Sequence, residues 1–259
     1  MDAPPSRGMT IVIKLTERPS PNFNARRPGT GMRFVVIHYT GMKTVDEALR
    51  RLCDPAAKVS AHYLVDEDGT AFRLVSEDQR AWHAGVSYWR GERDLNGASV
   101  GIELANPGHD WGYRPFPKAQ IAALKDLLGE IGARHRIPAD GFLGHSDIAP
   151  SRKIDPGELF PWQDLAKDGF GLWPEETTPL PGRADLTAAF RRLSEIGYAV
   201  PTTMEEGSDI LNAEAAATDV IKTFQRRYLP EQVDGRLDAV TASRIAAVAV
   251  AHAVARPTV

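Results

Sequence analysis

Cysteine is almost missing from this sequence: its 259 residues include one, Cys53. No intramolecular disulfide can form, so the chain carries no mark of an oxidising compartment. A thiolate cluster is excluded too, which leaves nitrogen and oxygen donors for any metal. Long hydrophobic runs are equally scarce. No segment approaches the ~20 apolar residues of a membrane span, and the short run Met9 to Ile13 is too brief for the core of a secretory signal. The expectation is therefore work in the cytoplasm, with the periplasm as the alternative if an export signal lies outside the given sequence. Excess positive charge is lacking as well. Lys and Arg number 31 against 34 Asp and Glu, a net charge of −3, where a nucleic-acid binder shows a basic surplus.

What is present is the composition of a globular protein, 42% hydrophobic and 25% charged, long enough for one large domain or two smaller ones. Residues 33–40, RFVVIHYT, form a β-branched apolar run that reads as a buried strand ending at His38 and Tyr39. Thr44, with Glu47 three residues on, opens a short helix through a capping-box pattern. Residues 61–75 give two strand-like runs around Asp68-Gly69, a hairpin signal. Residues 99–106, SVGIELAN, read as a strand interrupted by one acid, Glu103. From Pro117 to Arg136 the apolar positions recur at helical spacing, and FLGH at 142–145 is a further short strand.

That last strand runs into GHSDIAPSRKIDPG, residues 144–157, where Pro150 and Pro156 exclude a helix interior or a central strand. It is a shaped loop crowded with His145, Asp147, Arg152, Lys153 and Asp155, and reads either as a metal-binding loop or as a solvated polar turn. His38 and His145 each close an apolar strand. Glu103 lies inside one, where a carboxylate is costly unless paired or put to use. If these strands are neighbours in one sheet, their ends meet the loop and form a three-ligand site with an open fourth position, the arrangement of catalytic zinc.

The stretches FVVIHYT, VSAHYLVDEDGT, RAWHAGVS, SVGIELAN and GHSDIAPSRKIDPG, in this order, resemble the zinc-dependent N-acetylmuramoyl-L-alanine amidases of the amidase-2 type, in the AmiD/AmpD-like branch. The resemblance covers roughly residues 30–174. It implies an α/β fold, a mixed sheet flanked by helices, related to peptidoglycan recognition proteins. It also implies Zn2+ held by His38, His145 and Asp155, Glu103 as general base and Lys153 as transition-state stabiliser. The reaction implied is hydrolysis of the amide between the lactyl group of N-acetylmuramic acid, or its 1,6-anhydro form, and L-alanine, with peptidoglycan fragments as partners. A tyrosine that often assists catalysis in related branches is replaced by Ala61, so the chemistry leans on Glu103. Trp82, His83, Asn106 and Arg80 are candidate substrate-binding residues. His62 is read as structural, His109, His135 and His252 as surface residues, and Trp162 and Trp173 as packing. A non-catalytic peptidoglycan sensor is the alternative, disfavoured by the complete ligand set.

After Trp173 the text becomes proline-rich and polar. The expected division is an N-terminal segment 1–28, a catalytic domain 29–174, a linker 175–184 and an all-α domain 185–259 able to fold on its own. Three amphipathic stretches, FRRLSEIGY, VIKTFQRRY and VDGRLDAVTASRI, resemble the small three-helix peptidoglycan-binding domain.

Overall fold

The computed structural model describes residues 14–174, 184–201 and 210–256. The apolar run Met9–Ile13 and all but the last residue of the expected linker lie outside them. The chain begins with β1 (Leu15–Glu17), β2 (Phe23–Ala25), β3 (Phe34–Tyr39), α1 (Val45–Cys53), β4 (Tyr63–Val65), β5 (Ala71–Arg73) and β6 (Gln79–Ala81). It continues with α2 (Leu95–Ala98), β7 (Ser99–Leu104), α3 (Gly108–Trp111), α4 (Lys118–His135), β8 (Phe142–Gly144), α5 (His145–Ile148) and α6 (Trp162–Lys167). Three longer helices follow: α7 (Leu186–Ile196), α8 (Ile210–Tyr228) and α9 (Ala239–Val254).

The local signals act as their chemistry requires. Thr44 Oγ1 accepts from the Glu47 amide at 3.2 Å and caps α1, while the Glu47 carboxylate closes onto the amide of Lys43 rather than of Thr44. β4 and β5 pair antiparallel across the turn that holds Asp68 and Gly69, with Gly69 in the left-handed region at φ 91°. α4 follows Pro117 and ends at Arg136, with Arg134 and His135 in its last turn facing the negative end of the helix dipole.

Six strands form one mixed sheet in the order β1-β5-β4-β7-β3-β8, with β3 parallel to both β7 and β8. Alternation along the central strands sorts their side chains between two faces. Val35, Ile37, Val100, Ile102 and Leu104 pack with Ile121, Leu124, Leu128 and Ile131 of α4 in one core. On the opposite face Leu64 packs with Leu49 and Leu52 of α1. Phe34, Val36 and Leu143 on that same side share a core with Leu193 and Ile196 of α7, Phe224 of α8, and Ile245 and Val248 of α9. The face opposite α4 is thus covered by α1 and by the C-terminal helices, with His38 and Glu103 at the strand ends.

The three C-terminal helices exist as the sequence indicates, but they do not stand apart. Trp89, Leu95 and Ile148 belong to the same buried cluster as Tyr198, Val220 and Tyr228. The tail thus shares a buried core with the first half of the chain, and truncation at residue 174 tests whether the two fold independently. A proline-rich stretch identifies a chain segment without secondary structure; it carries no information about whether the elements on its two sides touch.

Candidate metal centre and active site

Register assembles the site. In the parallel pair of β3 and β7, His38 lies opposite Glu103, so both side chains emerge on the same face. On the other flank Ile37 pairs with Gly144, which places His145 level with His38 at the end of β8. Gly144 has no room for a side chain, because a Cβ there would come 2.8 Å from Pro156 and 3.3 Å from Trp162. The loop then returns to its start: the Ser146 amide donates to the Asp155 carbonyl at 2.8 Å, which brings residues nine apart in sequence side by side.

Three donor atoms converge. His38 Nδ1 lies 2.9 Å from His145 Nδ1, and Asp155 Oδ2 lies 3.2 Å from the former and 3.0 Å from the latter. The partners behind them decide the tautomers. His145 Nε2 donates to the Ala84 carbonyl at 3.2 Å, leaving its Nδ1 as a lone pair. His38 Nε2 donates to His83 Nδ1 at 3.1 Å, His83 Nε2 faces Ser99 Oγ at 3.4 Å, and the Ser99 hydroxyl donates to the Leu95 carbonyl. With that chain running outward, His38 Nδ1 is also a lone pair. Two imidazole lone pairs and a carboxylate oxygen aimed at one point repel one another unless a cation lies between them. Donors at 2.0–2.2 Å in tetrahedral array are about 3.3–3.6 Å apart, a few tenths of an ångström wider than the spacing found, so the residues fit a divalent metal. All three are buried.

Electrostatics agree. Burial, and after it His145, pushes the His38 pKa down to about 4, so its imidazole is neutral at pH 7. Burial opposes ionisation of Asp155, but positive charge at the point of convergence, from protons on His145 and His38 or from a cation in their place, outweighs it and holds the carboxyl well below the usual carboxylate range. Glu103 behaves in the opposite way. Burial first, then the negative charge of Asp155, raises its pKa well above the ordinary value, with Lys153 opposing. Its Oε2 is shielded from water and has no hydrogen-bond partner among the described residues. A cavity of about 460 Å3 opens over this group, walled by His38, His145, Asp155, Glu103, Lys153 and Trp82.

Residues 27–158 match the Amidase_2 family, N-acetylmuramoyl-L-alanine amidase. The chain belongs to this family. It is 38% identical to the N-acetylmuramoyl-L-alanine amidase AmiD of Escherichia coli over 230 residues, 81% of this chain and 79% of AmiD. The 1,6-anhydro-N-acetylmuramyl-L-alanine amidase AmpD of Haemophilus influenzae is 34% identical over 162 residues, 56% of this chain and 86% of AmpD. Among solved structures, E. coli AmiD in complex with the substrate anhydro-N-acetylmuramic acid-L-Ala-D-gamma-Glu-L-Lys superimposes with a TM-score of 0.74 at 35% identity. That match covers 86% of this chain and 91% of the AmiD chain.

In this amidase the remaining expected residues divide. Trp82 lines the cavity, its indole donating to Asn24 Oδ1 at 2.7 Å. His83 touches the cavity but is wedged behind His38. A Cβ on residue 101 would meet its ring at 2.4 Å, so Gly101 makes the space it occupies. Arg80 is committed to Asp94 and Asn24, and buried Asn106 holds the turn after β7 through the Arg114 carbonyl and the Gly108 amide. Neither is among the residues walling the cavity. His62 is buried as expected, accepting from the Gly101 amide at 2.9 Å. His252, expected at the surface, is buried between Arg90 and Arg256. Arg152 shapes the loop by donating to the carbonyls of Ala84 and Val86. Tyr39, Arg51 and Asp110 line the cavity unforeseen, since nothing local in the sequence distinguishes them from ordinary surface residues.

Proposed function

We propose that this amidase uses zinc held by His38, His145 and Asp155, with Glu103 as the general base and Lys153 as the group that offsets charge on the carbonyl oxygen. Its substrate on this reading is a muropeptide, 1,6-anhydro forms included, cut between the lactyl carbonyl of N-acetylmuramic acid and the nitrogen of L-alanine. The observation that carries the reading is the unpartnered carboxylate oxygen of Glu103 on the same cavity wall as three converging donors. Zinc bound to that donor set polarises a carbonyl and makes a water acidic enough to lose its proton near neutral pH.

The chain's own residues do the rest. Glu103 takes the proton of the attacking water as the oxygen bonds to the carbonyl carbon. The surroundings that raise its pKa make it a stronger proton acceptor than an exposed carboxylate. Lys153 lines the cavity and has no ion-pair partner among the described residues, so its ammonium is available to the developing oxyanion. When the carbon–nitrogen bond breaks, Glu103 returns the proton to the departing amine. The products are a lactyl carboxylate and a peptide with a free L-alanine amino group. His83 and the Ala84 carbonyl keep each imidazole proton on the far nitrogen.

The likeness to AmpD amidases supports work on soluble anhydro fragments in the cytoplasm, in recycling of the wall. A catalytic domain at 29–174 and a peptidoglycan-binding-like domain at 185–259 complete the reading; co-sedimentation of the full chain with insoluble sacculi checks the latter role. The deciding experiment is mass spectrometry of purified muropeptides incubated with the protein. Release of intact stem peptides beginning with L-alanine, stopped by a chelator and restored by zinc, is expected. Turnover that persists in chelator overturns the metal role, and intact muropeptides after incubation with zinc-loaded protein overturn the substrate. A native protein found in the periplasm overturns the recycling role and leaves the chemistry standing.

A further inference from the structure

Strand β8 delivers His145, and it is the outermost strand of the sheet. Three residues long, it has one edge with no strand beside it among the described residues, a poor foundation for a ligand that must be placed within a fraction of an ångström. Two buried acids bracket it, Asp140 just before and Asp147 just after, and side chains from the C-terminal part of the chain bind both. Asp147 Oδ1 accepts from the Tyr198 hydroxyl at 2.8 Å. Asp147 Oδ2 accepts from Arg227 Nη1 at 2.5 Å and from the Gly144 amide at 2.8 Å. The other arm of the same guanidinium reaches the strand itself, Nη2 donating to the Phe142 carbonyl at 3.1 Å. Arg227 is buried, and its guanidinium lies 3.8 Å from the centre of the Trp162 ring. At the strand's start, Asp140 accepts from Arg90 at 2.7 Å and from Arg256 at 2.5 Å, and both arginines donate to His252 Nδ1.

We propose that Arg227 is a positioning residue for His145, acting through Asp147 and the open edge of β8, so that the C-terminal helices belong to the catalytic apparatus. The inference rests on the reading of His145 as a metal ligand. Its physical basis is the planar fork of arginine, which serves a carboxylate on one arm and a main-chain carbonyl on the other and thereby locks the strand and the turn after it as one piece. A lysine can meet the carboxylate but not both acceptors in fixed geometry. Simple packing of the tail against the sheet would raise global stability without favouring the metal over any other part of the fold.

The test uses the full chain as wild type, Arg227→Met, Arg227→Lys, Tyr198→Phe and Ile245→Ala, the last loosening the tail core away from the clamp. Metal affinity by chelator competition, kcat, KM at saturating metal, and amide exchange at Gly144 are measured in each. Loss of a group that orients a metal ligand costs about 10- to 100-fold in metal affinity, and this is expected for Arg227→Met, with kcat lowered, KM little changed and faster exchange at Gly144. Arg227→Lys should recover part of the loss and Tyr198→Phe should show a smaller one. Ile245→Ala should lower Tm while metal affinity stays within about twofold of wild type. Folded Arg227→Met with wild-type metal affinity overturns the proposal, as does an equal loss in Ile245→Ala. If Arg227→Met does not fold, unchanged affinity in both Arg227→Lys and Tyr198→Phe overturns it instead. A wild-type chain that binds no divalent metal sinks the metal reading, and unchanged Gly144 exchange in the clamp variants then sinks the clamp separately.

Discussion

Within the site, two groups with opposite electrostatic surroundings sit side by side. Asp155 is held ionised by the positive charge that meets it between His38 and His145, whereas burial and Asp155 itself make ionisation of Glu103 costly. Separation of this kind is how one pocket supplies both a permanent anionic ligand and a proton carrier. The two roles are distinguishable by substitution. His38→Ala and Asp155→Ala remove a donor from a three-ligand set and should lose the metal. Glu103→Gln should keep the metal and lose kcat by roughly two to four orders of magnitude. Metal content by elemental analysis alongside kcat checks both, and a fall of less than about tenfold in Glu103→Gln would exclude it as the base.

At the scale of elements, the burial of α9 against the first half of the chain has a consequence for acid stability. His252 is buried, and burial first, then the cations Arg90 and Arg227, push its pKa down to about 2. The unfolded chain takes up a proton at this residue near pH 6.5 and the folded chain does not. Stability from His252 is therefore full above that pH and is lost progressively as pH falls toward 2. His62, lowered to about 3 by burial and Arg26, adds to the same slope. Replacing His252 by Gln should flatten the dependence of unfolding free energy on pH by up to about 1.4 kcal/mol per pH unit below pH 5.5. Urea denaturation at several pH values measures it; an unchanged slope would mean that His252 is not held neutral.

For the whole molecule, the shared core outweighs the linker. Removing the C-terminal helices would uncover Phe34, Val36, Trp89, Leu95 and Leu143, all buried in one cluster with them. Each large apolar side chain returned to water costs about 1.5–3 kcal/mol, so the five together are comparable with the 5–15 kcal/mol of a typical domain. Buried Asp140 and Asp147 would also lose their arginine partners from the tail. A chain ending at residue 174 should aggregate or show no cooperative thermal transition. A cooperative transition within about 5 °C of the full chain would show that the first core stands alone.

Much of this was legible in the sequence because the signals are local. The β-branched runs of 33–40 and 99–106, the cap at Thr44, the turn at Gly69 and the prolines of the loop at 144–157 act over a few residues, and each formed what its chemistry demands. His38, Glu103, His145 and Asp155 stood out as polar groups where apolar ones were due, or crowded on a constrained loop. The loss of free surface at His252, the engagement of His83 behind His38, and the hold of Asn24 on Arg80 depend on partners far away in the chain, whereas Asn106 is diverted by Arg114 and Gly108 close by. Arg227 meets Asp147 across 80 positions, and no spacing rule connects them. The sequence by itself determined the main strands and helices and which polar side chains stand out as candidates, since propensity, capping and turn preference are properties of neighbouring residues. Only the tertiary structure decided which faces meet, because burial and charge pairing are set by whichever surfaces pack together, and so it alone made the helical tail the support of the strand that carries His145.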